Sequence, residues 1–153
     1  MVGTVRRGLL RRPVCDQLVD DGGGGFFVGN LDLKKAFIFE GEKSSLLYAS
    51  YFGLDNDISV ACCGSSISLY QIEMLIKAGA QEIIIAFDRQ FQEIGDDEFK
   101  RLKTNLIKLH NKYKNDVLIS FIFDKEKITG YKDSPIDRGP DIFLKLFKER
   151  IVL

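Results

Sequence analysis

Apolar and polar positions follow two periods along the chain from residue 35 onward. Short apolar runs rich in β-branched and aromatic residues are typical of strands that are covered on both faces. Four such runs occur, at 35–40 (KAFIFE), 58–63 (ISVACC), 82–87 (EIIIAF) and 116–123 (DVLISFIF). Apolar residues three and four positions apart predict helices between and after these runs. The predicted helices are 42–53, 68–79, 96–113 and 139–151.

Strands that alternate with helices imply right-handed crossovers and a mostly parallel sheet. We therefore predict an α/β fold of the Rossmann-like kind, with four strands flanked by helices. Residues 1–34 follow neither period and contain four arginines, an Asp-Asp pair and four consecutive glycines. We interpret 1–34 as a flexible leader or the tail of a preceding domain, and 35–153 as the folded domain.

Composition narrows the function classes. The 153 residues include 22 Lys+Arg and 22 Asp+Glu, and this balance argues against a protein that binds nucleic acid over its whole surface. No run approaches the ~20 apolar residues of a membrane span, so we expect a cytoplasmic protein with no membrane partner. The cysteines, at 15, 62 and 63, form no C-x-x-C pair, so we expect reduced thiols and no structural zinc. The single histidine, His110, lies in a lysine-rich helical segment, which disfavours a Ser-His-Asp mechanism.

Acidic residues follow three of the four predicted strands. Glu40 ends the first strand, Asp88 follows the third, and Asp124 follows the fourth. The carboxyl ends of parallel strands share one edge of the sheet, where ligands of such folds bind. If the first and third strands are neighbours, in a 2-1-3-4 order, Glu40 and Asp88 face each other and raise each other's pKa. Mg²⁺ relieves that repulsion, whereas helix capping is the alternative explanation for any one of these acids.

Three segments together resemble the TOPRIM domain of bacterial-type DNA primases, topoisomerases and certain nucleases. They are FIFEGEKSSLL, VACCGSSISLYQIEMLIKAGAQEIIIAFDRQ and GYKDSPIDRGPDIFLKLF. The first is similar to the family's strand followed by Glu-Gly and a helix, and the second to its block that ends in Asp-x-Asp. The third is similar to the Lys-Asp-Pro-like segment of primases. The resemblance covers 35–153 and is strongest to primases of bacteriophages and related mobile elements.

The resemblance implies roles for individual acids. Glu40 corresponds to the acid of the first motif, which acts in acid–base chemistry or metal binding. Asp88 corresponds to the first acid of Asp-x-Asp, a ligand of Mg²⁺ (or Mn²⁺), and Gln90 stands where the family has the second acid. An amide oxygen brings no charge to a metal. We therefore expect either that a third acid completes the site, with Glu42, Asp124 and Asp133 as the candidates, or that the second metal position is impaired.

Phosphate or nucleic-acid binding is predicted for a second group of residues. Lys43, with Ser44, lies at the start of the first helix, where free N–H groups bind phosphate, although an ordinary helix start explains it equally well. Arg89 either neutralises a phosphate or pairs with a neighbouring acid. Lys132, with Asp133, either meets phosphates or the metal or simply lies in a turn. Two glycines next to strand ends, Gly41 and Gly64, allow the backbone to approach a ligand closely.

Three functions agree with these features. The first is the Mg²⁺-dependent nucleotidyl-transfer module of a phage-type DNA primase, which makes RNA primers on single-stranded DNA from nucleoside triphosphates. Such primases carry a zinc ribbon and a basic domain ahead of the core, so the chain would be a fragment, a split subunit or a decayed copy. Its partners would be that upstream domain or a replicative helicase. The alternatives are a TOPRIM nuclease that hydrolyses phosphodiesters and a non-catalytic domain that binds nucleic acid or a partner.

Overall fold

The computed structural model describes residues 34–64 and 66–153. The predicted leader, 1–34, therefore lies outside the described residues except for its last position. The elements are β1 (Lys35–Phe39), α1 (Glu42–Phe52), β2 (Ser59–Ala61), α2 (Leu69–Lys77), β3 (Glu82–Ile85), α3 (Asp97–Tyr113), β4 (Leu118–Phe121), α4 (Pro140–Lys148) and β5 (Ile151–Val152). A short 3₁₀ turn, Leu54–Asn56, connects α1 to β2. The predicted α/β class is confirmed.

The strands form one sheet in the order β2-β1-β3-β4-β5. The pairs β1–β2, β1–β3 and β3–β4 are parallel, and β4–β5 is antiparallel. The neighbouring positions of β1 and β3, which the 2-1-3-4 order requires, are therefore observed. In their register Ile38 pairs with Ile85, so the two strands end at nearly the same level of the sheet.

Within residues 34–64 and 66–153, two helices cover each face of the sheet. On one face α2 and α3 pack over a core that includes Ile38, Ile72 and Ile83. On the other face α1 and α4 pack over Phe37, Phe39 and other residues, with the rings of Phe37 and Phe143 5.2 Å apart. Alternate residues of β1 point to opposite faces, as the period of a strand requires. Among the described residues, no helix is long and apolar enough to cross a bilayer.

The C-terminal part of the prediction is wrong in two respects. The last helix ends at Lys148 instead of 151, and residues 151–152 form β5, so the sheet formed by the described residues has five strands and not four. The physical reason is a long-range contact: the Arg150 guanidinium donates to the buried Glu82 carboxylate at 2.7 Å, and Leu153 N–H donates to Ile119 O at 3.0 Å. These contacts draw the chain out of the helix and alongside β4.

Candidate functional site

Two carboxyl groups meet at the carboxyl edge of the sheet. Glu40 is the residue after β1, and Asp88 lies three residues after β3. Both side chains are partly buried, and they share a hydrogen bond. The adjacency of β1 and β3 brings together residues that are 48 positions apart in the sequence. We refer to Glu40 and Asp88 as the carboxyl pair.

The carboxyl pair retains a proton near neutral pH. Burial, followed by the negative charge of Asp88, raises the pKa of Glu40 to about 7. Burial also raises the pKa of Asp88, although the hydrogen bond from Glu40 opposes that shift. A hydrogen bond between two carboxyl groups needs one proton, and here protonated Glu40 donates to Asp88. Such a pair favours whatever cation can replace its proton.

Gln90 contacts the pair directly. Its side-chain amide N–H donates to Glu40 Oε1. This bond favours the ionised form of Glu40 and partly offsets the effect of burial on its pKa. The residue at the second position of the Asp-x-Asp-like segment therefore lies next to the carboxyl pair but supplies an amide where an acid would add charge.

A loop that follows β4 brings Lys132 to the pair. Lys132 N–H donates to Arg89 O at 3.0 Å, and Arg89 N–H donates to Asp133 O at 2.9 Å. Lys132 adopts a φ of 67°, a left-handed conformation that is uncommon for a residue with a side chain. Its positive charge lowers the pKa of Glu40, although burial and Asp88 raise it by more. The Arg89 guanidinium donates to Gly130 O and Phe91 O, at 3.3 and 3.0 Å, and thus holds the loop in place.

Two further acids of this loop lie within electrostatic reach of Asp88. Asp133 and Asp137 both raise the pKa of Asp88 after the larger effect of burial. Asp133 accepts hydrogen bonds from Gly130 N–H at 2.8 Å and from Arg138 at 3.2 Å. Asp137 was not among the predicted ligands. The spacing of four residues from Asp133, across a proline turn, was the signal that could have included it.

The other predicted acids lie in different surroundings. Asp124 is buried, and its carboxylate accepts from Ile128 N–H at 2.9 Å and from Thr129 N–H and Oγ1–H at 2.8 and 2.6 Å. We therefore assign Asp124 to this turn. Glu42 is exposed, and its own backbone N–H and the Cys63 thiol, at 3.2 Å, lower its pKa. Neither Glu42 nor Asp124 forms a hydrogen bond with the carboxyl pair, although Asp124 lines the same small cavity as Asp88.

The start of α1 contains the remaining predicted residues. Lys43 forms an ion pair with Asp137 at 2.9 Å, which ties α1 to the loop after β4. Gly41 caps α1 without a side-chain hydrogen bond and has φ −122° and ψ 157°, which any residue can adopt. An added Cβ at Gly41 or Gly64 would meet nothing within 4 Å. Close packing is therefore not the reason for a glycine at either position.

The donor chemistry of the pair fits a hard divalent cation. Carboxylate oxygens of Glu40 and Asp88, with the amide oxygen of Gln90, are the ligand types that Mg²⁺ and Mn²⁺ accept. Within residues 34–64 and 66–153, no group of three or more His, Cys, Asp or Glu side chains is arranged to hold a metal by itself. Mg²⁺ sites usually use only one or two carboxylates and complete their coordination with water and substrate phosphates. A two-carboxylate site is thus consistent with a cation that binds together with its substrate.

Comparison with known proteins gives one informative similarity. Over 125 residues the chain is 30% identical to YorJ, an uncharacterized protein derived from the SPbeta prophage of Bacillus subtilis (strain 168). The matched region covers 77% of this chain but 33% of that protein, so the chain spans about a third of the relative's length. No protein-family model matches the chain.

Proposed function

We propose that residues 35–153 form a TOPRIM-type domain that serves as the Mg²⁺-dependent nucleotidyl-transfer module of a phage-type DNA primase. The observation that supports this most is the carboxyl pair at the ends of two adjacent parallel strands. The strand order β2-β1-β3-β4 and the contact of Gln90 with Glu40 agree with the motif positions of that family. The similarity to a prophage-derived protein supports a bacteriophage origin.

In this proposal Glu40 and Asp88 hold the cation, with Gln90 as a neutral third donor. A bound Mg²⁺ or Mn²⁺ supplies stabilisation of the charge on the transferring phosphoryl group. Glu40 has a second role in this proposal, as the acid–base residue of the family's first motif, to which it corresponds. It is therefore the residue that accepts the proton of the attacking 3′-hydroxyl.

Lys132 is the cation that this geometry offers to the nucleotide phosphates. Its ammonium acts on Glu40 from the loop after β4, and its left-handed backbone conformation fixes where the side chain starts. Strained conformations of this kind concentrate at functional sites. Lys43 provides a second cation on the same edge, once its ion pair with Asp137 opens. Single-stranded template would be gripped by a separate zinc or basic domain, or delivered by a replicative helicase.

Two measurements test the proposal at different levels. The first is binding of Mn²⁺, followed by electron paramagnetic resonance, because it needs neither template nor turnover. We expect Asp88→Ala to weaken Mn²⁺ binding at least tenfold. Asp116→Ala is the matched control, since this exposed aspartate precedes β4 at the opposite edge of the sheet. Equal affinities in the two variants would exclude a cation at the carboxyl pair.

The second measurement is incubation of the chain with single-stranded DNA, labelled nucleoside triphosphates and Mg²⁺. Labelled primers that disappear in Glu40→Ala support the primase function. Shortened DNA under the same conditions identifies a nuclease instead. If a Mn²⁺-binding chain yields neither product, even with the remaining two thirds of a YorJ-like protein supplied, then the domain binds without catalysis.

A further inference from the structure

A groove lies beside α3, on the side towards the C-terminal edge of the sheet. It has no role in the chemistry described above. We call it the α3–β5 groove. It has a volume of about 230 Å³ and lies between α3 and the C-terminal strand. Its walls include Leu102, Leu106 and Ile107 of α3, and Phe121, Phe123 and Ile151 of the sheet side. Among the described residues that line it, Lys103 is the one with a charged side chain, and the exposed fraction of both Ile107 and Ile151 is 44%.

The groove exists because the sheet is wider than its helical layer. Packed helices lie about 8–10 Å apart, whereas strands lie about 4.8 Å apart, so two helices cover roughly four strands. In the part of the chain that the structure describes, the layer on this face consists of α2 and α3, and β5 is the fifth strand, at the edge beside β4. The apolar side of β5 therefore extends beyond α3. One more helix beside α3 would complete the layer.

The charges beside the groove are positive. Lys100, Lys103 and Lys114 lie on the same flank of α3 as Ile107, because they are spaced from it by four or seven residues. Within the described part of the chain, Lys103 and Lys114 have no ion-pair partner, and Lys100 has only an exposed pairing with Asp97 at 3.3 Å. An apolar trough beside a row of lysines is complementary to a helix with leucine-like anchors and carboxylates next to them.

The lining of the groove does not suit other ligands as well. Its volume is below the ~300–1,000 Å³ of small-molecule pockets, and it lacks the few polar groups that orient such ligands. Its aromatic rings pack against each other, with Phe99 and Phe123 5.9 Å apart, as rings in a core do. Stacking of nucleobases needs open ring faces, so single-stranded nucleic acid is the poorer match.

We infer that the α3–β5 groove docks an acidic amphipathic helix of a partner polypeptide. Apolar side chains three and four residues apart enter the groove, and carboxylates beside them meet Lys100, Lys103 and Lys114. This interface is separate from the carboxyl pair. The docking inference therefore does not depend on the proposed nucleotidyl transfer.

The test uses a fluorescein-labelled 18-residue peptide with Leu at helical anchor positions and Glu at most others. A second peptide has Lys in place of every Glu. Binding to the whole chain is followed by fluorescence anisotropy, and hydrogen exchange locates the protected amides. The variants are Ile107→Asp and Lys103→Glu. Their matched controls are Leu46→Asp, at an exposed leucine of α1, and Lys108→Glu, on the opposite flank of α3.

We expect saturable binding of the Glu peptide, at least tenfold tighter than that of the Lys peptide, with protection at 102–107 and 151–153. Ile107→Asp should weaken binding tenfold or more. Lys103→Glu should weaken it roughly fivefold at low salt, and less at high salt, as expected for a charge on an exposed rim. Leu46→Asp and Lys108→Glu should leave the affinity within twofold. Circular dichroism checks that each variant is folded.

Several results would overturn the inference. They are absence of saturable binding, equal binding of both peptides, or equal effects of Lys103→Glu and Lys108→Glu. Protection of the groove by oligo-dT and not by the Glu peptide would assign it to nucleic acid. A dimer that Ile107→Asp dissociates, detected by light scattering, would make a second copy the occupant. Hydrogen exchange on the unmodified chain keeps the test decisive even if a variant fails to fold.

Discussion

Glu40 is the residue whose ionisation the fold opposes most strongly. Burial and the neighbouring Asp88 make its ionised form costly, so it keeps a proton up to a pKa of about 7. In the unfolded chain the pKa returns to about 4.5. Between these two values the folded state binds more protons than the unfolded state. The fold therefore loses stability as the pH rises through that window.

Replacement of Glu40 by Gln tests this linkage. Glu40→Gln keeps an amide N–H that can donate to Asp88 but removes the titration. Both proteins are compared without divalent cations. The free energy of unfolding of the variant minus that of the natural chain should increase by about 1–2 kcal/mol when the pH is raised from 5 to 8. Urea denaturation at each pH measures it. Glu149→Gln, at an exposed position after α4, is the control. Parallel curves for Glu40→Gln and the natural chain would contradict the shared proton.

Two glycines near the site should lose different amounts of stability on substitution by alanine. At Gly130 an added Cβ would lie 2.7 Å from Asp133 Oδ2, the atom that accepts the Gly130 N–H. Gly130→Ala should therefore break that bond and destabilise the loop that carries Lys132, by about 1–3 kcal/mol. At Gly41 the added Cβ meets nothing within 4 Å. Gly41→Ala should cost no more than about 1 kcal/mol, the range of N-cap preferences. Equal losses in thermal denaturation would show that the Asp133 contact does not hold the loop.

The sequence predicts which residues lie at the site, but it does not predict their hydrogen-bond partners. Glu40 and Asp88 were predictable because each follows an apolar run, and parallel strands end at one edge. The position of Asp124 at a strand end was equally clear, yet its oxygens are used by Thr129, five residues later. The bond from Gln90 to Glu40 spans 50 positions, and no local pattern encodes it. Strand order decides which residues approach each other, and single-residue patterns do not contain it.

At the scale of elements, the end of the chain depends on one buried ion pair. Glu82, at the start of β3, has an exposed fraction of 6%. It accepts from Arg150 at 2.7 Å and from Ser120 Oγ–H at 2.7 Å, and Lys35 lies 3.6 Å away. Burial alone would raise the pKa of Glu82, but Arg150 and its other partners lower it overall. This pair anchors β5 to the body of the sheet.

Arg150→Met should destabilise the fold by roughly 2–4 kcal/mol, because a buried carboxylate loses its main partner. Lys148→Met, at an exposed position at the end of α4, is the control and should change little. Because the folded pKa of Glu82 is lowered, its stabilisation is complete above about pH 4.5 and is lost as the pH falls through the folded pKa. The difference between Arg150→Met and the natural chain, from urea denaturation, should thus shrink in acid. A difference that stays constant from pH 7 to pH 3 would rule out this origin.

The same ion pair explains why elements were predicted unevenly. The strands 35–40 and 82–87 and the helix 96–113 carry strong periodic patterns, and the structure places them within a few residues of the expected bounds. Residues 139–151 also read as one amphipathic helix. Only the contact of Arg150 with a residue 68 positions earlier, and the pairing of Ile151 with Phe121, divide that segment into α4 and β5. Tertiary contacts of this range override local helix preference.

At the scale of the whole molecule, the parallel sheet separates its charges between two edges. Glu82 meets Arg150 and Lys35 where β3 begins, whereas Glu40 and Asp88 share a proton where β1 and β3 end. The first edge compensates its buried charge within the chain. The second edge keeps a proton, because Lys132 and Lys43 offset only part of its charge, and it therefore gains most from an external cation. This asymmetry makes the stability of the fold a reporter of cation binding.

Mg²⁺ should accordingly stabilise the chain, and more strongly at pH 8 than at pH 6. At a pH below the Glu40 pKa of about 7, the proton on Glu40 competes with the cation. The rise in Tm that Mg²⁺ produces should therefore grow as the pH increases. At a Mg²⁺ concentration of 100 times Kd the expected stabilisation is about 2.7 kcal/mol, which corresponds to several degrees. Gln90→Asp should strengthen the effect by adding a charged ligand, and Asp88→Asn should abolish it. A shift of Tm that is independent of pH, or that survives in Asp88→Asn, would move the cation away from the carboxyl pair.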